Sequence, residues 1–175
     1  MKKRMTNLLV AVAMIALPAL ANTKDNKLSP VEDKVRHELV MLPWTSIYDN
    51  LSFRVDGDTV TLFGATVRPT MKSSAENVVK RIEGVSRVVN NIEVLPLSPF
   101  DDRIRLATAR AIYGYPALQR YALGANPSIR IIVKNGNVTL QGAVATEMDR
   151  NLAFLRANGV SGSFTVTNEL HVDSK

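Results

Sequence analysis

Residues that could carry out acid-base chemistry are few in this sequence and lie far apart. Its two histidines are His37, which precedes Glu38 in a stretch with helical spacing, and His171, which lies between Leu170 and Val172. Successive side chains of a strand point to opposite faces, so His171 faces away from its apolar neighbours. We interpret both histidines as solvated. The sequence contains no HExxH zinc motif, no GxSxG nucleophile motif and no Walker phosphate loop.

Two pairs of acidic residues are the other candidates for catalysis. Glu32-Asp33 and Asp101-Asp102 each stand where a stretch with helical spacing begins. Carboxylates are favoured there because the helix dipole places partial positive charge at its N-terminus. We therefore interpret both pairs as helix-starting residues rather than as a general acid and base. The sequence predicts no catalytic residue, no metal site, no cofactor and no small-molecule substrate, and thus a protein that is not an enzyme.

The first residues have the pattern of an export signal. Three basic residues at 2–4 precede an apolar run over 8–17, and Ala-Leu-Ala at 19–21 supplies a small-residue cleavage site. The run is shorter than the roughly 20 apolar residues of a spanning helix, and Pro18 interrupts it, which favours cleavage over a retained membrane anchor. We predict a signal peptide at residues 1–21 and export to the periplasm or the periplasmic face of the outer membrane. The chain has no cysteine, so disulfides and a lipoprotein anchor are not expected.

The basic charge of the chain comes partly from its signal. The formal net charge is +6, and removing residues 1–21 takes away three basic residues and no acid, which leaves +3. A nucleic-acid-binding domain carries a denser basic patch than this charge allows. We therefore exclude nucleic acid as a partner.

An internal repeat organises the rest of the chain. At an offset of 78 residues the sequence matches itself without a gap over 55–94 and 133–172. The phrase DGDTVTLFGA at 56–65 returns in the second copy as KNGNVTLQGA. An upstream match at an offset of 69 leaves the second copy nine residues longer between its first helix and first strand. Repeats of this kind predict two units of the same fold.

Each copy has the periodicity of helix, strand, strand, helix, strand. Two helices must then cover one face of a three-stranded sheet, so the predicted fold class is α+β with two tandem αββαβ units. We place an N-terminal segment at 22–30, the first domain at 31–95, and a proline-containing linker at 96–100. The second domain spans 101–173 and has its longer helix-strand loop at 113–128. Units of this size have small cores, so we expect the two to pack against each other.

Matched glycines mark the turns of both copies. A type I′ turn needs positive φ at both central residues, which suits Asn135-Gly136, whereas Gly57-Asp58 has glycine first, as in a type II′ turn. Other glycines are expected to end the second strand and to mark the exit from the second helix. The predicted structural turn residues are Gly57, Gly64, Gly84, Gly136, Gly142 and Gly162.

Two asparagines recur at one point of the third strand, Asn90 and Asn168. Asparagine is unusual inside a strand. Either the pair binds a ligand or, as we favour, its amides satisfy backbone groups of neighbouring segments.

The combination of these motifs resembles the BON domain, named for bacterial osmotically induced periplasmic and nodulation proteins. The signature is Val-Thr-Leu-x-Gly-Ala, then an alanine-containing helix, then Gly-Val-x-x-Val-x-Asn-x-Ile-x-Val at 84–94; the second copy has Ser163 in place of the first valine. The loop at 113–127 is longer than in the simplest members. The resemblance implies an exported, non-enzymatic module associated with phospholipid surfaces or with envelope integrity under stress. It supplies no set of binding residues.

The two copies differ in charge, and this difference suggests where a partner binds. Residues 22–99 hold ten basic and ten acidic side chains, whereas 100–175 hold nine and six. The second copy also has tyrosines in its long loop, beside a short helix expected at 116–123, and arginines and an aromatic residue on its second helix at 147–158. The candidate lipid- or partner-binding residues are Tyr113, Tyr115, Arg120, Tyr121, Arg150, Phe154 and Arg156.

Two interpretations of this surface remain open. Arginines and aromatic rings could meet anionic lipid headgroups. The wide apolar arc of the second helix, which includes Met148, Leu152 and Leu155, could instead pack against the first copy, as small tandem units often do. We predict a peripheral binding module of phospholipid surfaces that supports the cell envelope under stress. The alternative is a protein-protein adaptor that docks an outer-membrane or secretion partner.

Overall fold

The computed structural model describes residues 29–124 and 126–173. The predicted signal peptide at 1–21 lies outside the described residues, as does most of the segment at 22–30. Within the described ranges, no helix combines the length and the apolar character that crossing a membrane requires.

The first unit has two helices and a sheet in which β2 is central. Strand β1 pairs with β2 in antiparallel register, and β3 and β4 pair with β2 in parallel. A single third strand was expected, but Asn91 and Ile92 interrupt it. The elements are α1 (Pro30–Val40), β1 (Asn50–Asp56), β2 (Thr59–Thr66), α2 (Pro69–Val79), β3 (Arg87–Asn90) and β4 (Glu93–Val94).

The second unit repeats this order with an unbroken third strand. Its sheet has the order β5-β6-β7, with β5 antiparallel and β7 parallel to the central β6. Its long loop contains a 3₁₀ helix, and its elements are α3 (Pro99–Tyr113), the 3₁₀ helix (Pro116–Ala122), β5 (Ile129–Lys134), β6 (Asn137–Val144), α4 (Glu147–Asn158) and β7 (Thr165–Val172). The predicted α+β class with two tandem αββαβ units is confirmed.

Each unit buries its own hydrophobic core between the helices and the sheet. The first core joins α1, α2 and β2, and its members include Val35, Leu39, Val60, Leu62, Met71, Val79 and Ile92. The second joins α3, α4 and all three strands, and its members include Ile104, Ile112, Leu118, Ile129, Ile131, Val133, Leu140 and Leu170. Every predicted amphipathic segment therefore contributes to a core.

The acids at the helix starts do not all act as predicted. Glu32 forms a capping box with Ser29 at the start of α1, as expected for a helix-starting residue. Asp101 is instead buried, and its two carboxylate oxygens accept hydrogen bonds from the backbone N–H of Asn135 (2.9 Å) and Gly136 (2.8 Å). The carboxylate of α3 thus holds the β5-β6 turn. Sequence alone places Asp101 on the helix but cannot show a partner 34 residues away.

Gly64 and Gly142 lie inside β2 and β6, two residues before the strand ends, and not at the ends as predicted. Both have positive φ, 108° and 109°. A Cβ atom would lie 1.9 Å from the carbonyl oxygen of Asn50 at the first glycine and 2.0 Å from that of Ser128 at the second. Each strand therefore continues past a point where the backbones approach too closely for any side chain.

The two units contact each other through the loop that precedes β1. The N–H of Ile131 on β5 donates to the carbonyl of Ile47 (2.8 Å), and the Asn50 amide donates to Gln141 (2.9 Å). Ile47 and Tyr48 also pack against the second core. A segment of the first unit therefore covers part of the outer edge of β5.

Candidate functional site

The groups with acid-base potential do not converge. His37 is exposed on α1, and His171 is exposed on β7 with its Nε2 3.5 Å from Asp173. In the part of the chain that the structure describes, no cluster of three or more histidine, aspartate or glutamate side chains could hold a metal ion.

The recurring asparagines bind backbone. The Asn90 amide donates to the carbonyl of Lys72 on α2 (2.9 Å), and its side-chain oxygen accepts from the N–H of Ile92 (3.2 Å). Asn168 makes the equivalent contacts with the carbonyl of Arg150 (3.0 Å) and the N–H of Leu170 (3.2 Å). Each asparagine thus joins the second helix of its unit to the third strand.

Tyr113, the first predicted surface residue, points inward. Its hydroxyl donates to the carbonyl of Ile129 (2.5 Å), and its ring packs against the second core. Burial raises the pKa of Tyr113 to about 12. The phenol is therefore a neutral donor that fixes α3 to β5.

Arg120 and Tyr121 meet the same carboxylate, that of Asp149 on α4. The Tyr121 hydroxyl donates to Asp149 (2.9 Å), the Arg120 guanidinium forms an ion pair with it, and Thr146 also donates to it. Burial would raise the pKa of this carboxyl, but the hydrogen bonds from Thr146 and Tyr121 and the charge of Arg120 hold the pKa of Asp149 below its usual range. We call these four residues the Asp149 latch, because they tie the 3₁₀ helix to α4.

The remaining predicted residues lie on or beside α4. The Arg156 guanidinium lies 5.0 Å from the centroid of the Tyr115 ring, and its Nε donates to the carbonyl of Ala111 (3.1 Å). Arg150 forms an ion pair with Glu147 (3.2 Å), and Phe154 is half-buried.

The apolar arc of α4 is divided between core and solvent. Ala153 and Ala157 are buried, whereas Met148 is 79% and Leu155 64% exposed. At 3.6 residues per turn these two share the outer side of the helix, and Arg156 lies about 90° away on one flank. Arg150 lies about 150° away, beside the buried face, and its partly exposed guanidinium pairs with Glu147. We call Met148, Leu155, Arg150, Arg156 and Tyr115 the α4 surface. The first unit therefore does not cover the outer part of the arc.

Two exposed aromatic residues were not predicted from the sequence, Trp44 in the first unit and Phe164, which is 72% exposed, in the second. Trp44 follows α1 in the first unit and is 78% exposed. The sequence signal that marks it is a run of ten uncharged residues at 39–48, which includes the only tryptophan of the chain. Such a run is typical of a buried segment, so only the structure shows that Trp44 faces solvent.

Comparison with known proteins gives a match to one family. The sequence model described as the BON domain matches residues 28–96 and 117–174. No curated protein sequence matches the chain.

Two of the solved structures that match the chain are of the same protein. The C-terminal domain of CdsD, the structural protein of the type III secretion system of Chlamydia trachomatis, has 12% identity and a TM-score of 0.30, covering 85% of this chain and 100% of that one. A second CdsD structure has 11% identity and a TM-score of 0.27, covering 79% of this chain and 90% of that one. Likeness at these values carries no functional argument.

Proposed function

Because this chain belongs to the BON domain family, whose domains are non-catalytic modules that bind membranes or proteins, we propose that it is an exported binding module that associates with phospholipid surfaces through its second unit. In this role it supports the cell envelope under stress. The observation that carries the proposal is the α4 surface, an exposed apolar ridge with Arg156 on its flank and Arg150 further round the helix.

The chemistry of the α4 surface suits an anionic bilayer. Each Lys or Arg near such a surface contributes about 1 kcal/mol of attraction, which falls off within a Debye length. Met148 and Leu155 can enter the boundary of the acyl chains while Arg150 and Arg156 remain at the headgroups. The excess of basic over acidic residues in the chain after residue 21 also lies in this unit.

Vesicle co-sedimentation tests the proposal. We expect the protein to bind vesicles of phosphatidylcholine and phosphatidylglycerol more tightly than vesicles of phosphatidylcholine alone. Replacing Arg150 and Arg156 with glutamine should weaken anionic binding about thirtyfold and flatten its salt dependence. Arg120 stays unchanged because it belongs to the Asp149 latch.

The matched control replaces two exposed arginines of the first unit, Arg81 and Arg87, with glutamine. This variant loses the same charge and should bind as the wild type does. Equal binding by both double variants, or no vesicle binding by the wild type, would reject the lipid surface. The protein-protein adaptor would then be the better description.

A further inference from the structure

The loop that follows α1 presents its largest apolar side chain to solvent. Residues 41–48, which we call the Trp44 loop, contain no charged residue. Trp44 is 78% exposed and Met41 is 66% exposed. Leu42, Ile47 and Tyr48 of this loop pack against the two cores, so burial accounts for their apolar character but not for that of Trp44 and Met41.

Trp44 also has an unfavourable backbone conformation. Its φ is 69°, in the left-handed region that bulky residues rarely adopt. The Arg68 guanidinium donates to its carbonyl (3.2 Å), and the Thr45 hydroxyl donates to the carbonyl of Leu42 (2.8 Å). Neighbouring contacts thus hold the backbone in the conformation that turns the indole outward.

The buried carboxylate of Asp49 joins the Trp44 loop to the end of β2. Asp49 is 1% exposed and accepts hydrogen bonds from the N–H (2.8 Å) and the hydroxyl (2.7 Å) of Ser46. It also accepts from the hydroxyl of Thr66 (2.7 Å) and the N–H of Val67 (2.9 Å) at the end of β2. The loop is therefore fixed to the sheet, and Trp44 projects from a preorganised base.

A basic side chain borders Trp44. Trp44 lines a depression together with Arg68, Thr70, Met71 and Ser74, and Arg68 is the charged residue of this lining. The acid at the end of the loop is Asp49, whose oxygens are occupied. Trp44 is therefore a projecting apolar side chain with an arginine beside it.

We infer that the Trp44 loop is a second membrane contact, on the first unit, at which Trp44 enters the interfacial layer of an anionic phospholipid bilayer. The inference rests on the proposed membrane association and adds an apolar contact on the other unit. Tryptophan suits this layer because its indole has an apolar body and a polar N–H. A bilayer also accommodates a projecting side chain without a complementary groove, and the neighbouring Arg68 complements anionic headgroups.

Trp44 is the only tryptophan of the chain, so its fluorescence reports on this site alone. We expect its emission to shift to shorter wavelength when vesicles of phosphatidylcholine and phosphatidylglycerol are added. Brominated phosphatidylcholine in the same vesicles should quench it. Unchanged emission from protein that co-sediments with vesicles would overturn the inference and leave the proposed function standing. Unchanged emission without co-sedimentation would reject both.

A pair of variants separates a membrane contact from a structural role. Trp44→Gly removes the side chain and suits positive φ, so the loop should keep its conformation. We expect it to bind anionic vesicles about tenfold more weakly. The control is Leu97→Gly, which removes a side chain that is 91% exposed between the units and should leave binding unchanged.

Two further outcomes would overturn the inference. One is vesicle binding by Trp44→Gly that equals that of the wild type. The other is a shift of wild-type emission when the protein concentration is raised without vesicles. Trp44 would then contact a second copy of the chain rather than a bilayer.

Discussion

At the scale of single residues, the closest backbone approaches occur at two matched glycines. Gly142 lies inside β6 with φ of 109°, and a Cβ atom there would meet the Ser128 carbonyl at 2.0 Å. Gly64 repeats this geometry against Asn50 in the first unit. Two independent constraints, the backbone angle and the missing space, therefore exclude side chains at these positions.

We predict that Gly142→Ala lowers the free energy of unfolding by more than about 2 kcal/mol, because the backbone must shift and an L-residue must hold positive φ. Chemical denaturation measures the change. The control is Gly159→Ala, where φ is −80° and the nearest atom would be 3.7 Å away. That variant should stay within about 0.5 kcal/mol of the wild type. Equal stability of the two variants would contradict the assigned backbone.

The repeat made several single-residue roles predictable from sequence. Asn135 and Gly136 have φ of 51° and 77°, which gives the type I′ turn that their residue types indicate. Asn90 and Asn168 bind backbone because the same packing problem recurs 78 residues later. The role of Asp101 was not predictable, since its oxygens bind a turn on another element.

At the scale of elements, the added 3₁₀ helix of the second unit is held by the Asp149 latch. The sequence predicts a short helix at 116–123, and the structure has one at Pro116–Ala122. The sequence could not predict where this helix docks, because Tyr121 and Asp149 are 28 residues apart and the first unit has no 3₁₀ helix at the equivalent place. Arg120 and Tyr121, two of the seven proposed binding residues, are engaged inside the unit for this reason.

We predict that Asp149→Asn releases the 3₁₀ helix while the sheet stays intact. The neutral amide loses the charge-assisted bonds from Arg120 and Tyr121, so backbone amides of residues 116–122 should exchange with deuterium about tenfold faster. Amides of β6 should exchange as in the wild type. The control Glu147→Gln changes an exposed acid on the same helix turn and should alter neither region.

The latch should also depend on pH. The folded pKa of Asp149 is below its usual range, so its contribution is complete above the unfolded value of about 3.9. It is lost as the pH falls through the lower folded pKa. Protection of amides at 116–122, taken relative to the intrinsic exchange rate at each pH, should therefore fall in acid for the wild type and stay unchanged for Asp149→Asn. The same loss of protection in both proteins would contradict this assignment.

At the scale of the whole molecule, residues of both units line one cleft. Ile132 on β5 is 8% exposed although its side of the sheet faces away from the helices, and it lines a cleft of about 490 Å³ with Leu95 and Gly64 of the first unit. Lys134 and Glu93 form an ion pair across the same cleft (2.5 Å). The size of the units predicts that they pack against each other. Only their relative placement in the structure shows that the Ile132 side of β5 takes part in this contact.

We predict that Ile132→Ser uncouples unfolding of the two units, because it removes a buried apolar contact from the cleft and leaves each core intact. Trp44 fluorescence reports on the first unit and far-ultraviolet circular dichroism on both. The two thermal transitions should coincide in the wild type and separate in the variant. The control is Thr167→Ser on the exposed side of β7, which should leave them coincident. Coincident transitions in Ile132→Ser would show that the cleft does not couple the units.

The hydrogen bond between Ile47 and Ile131 is one point at which the two copies of the repeat differ. In the first unit the helix-strand connection reaches forward to the next sheet, whereas in the second the equivalent connection is bound to its own α4 by the Asp149 latch. The two copies are therefore not interchangeable modules. A gene rearranged to encode them in reverse order would produce both cores, but the connection preceding the displaced β1 would have no neighbour to cover, and β5 would present its bare edge to solvent.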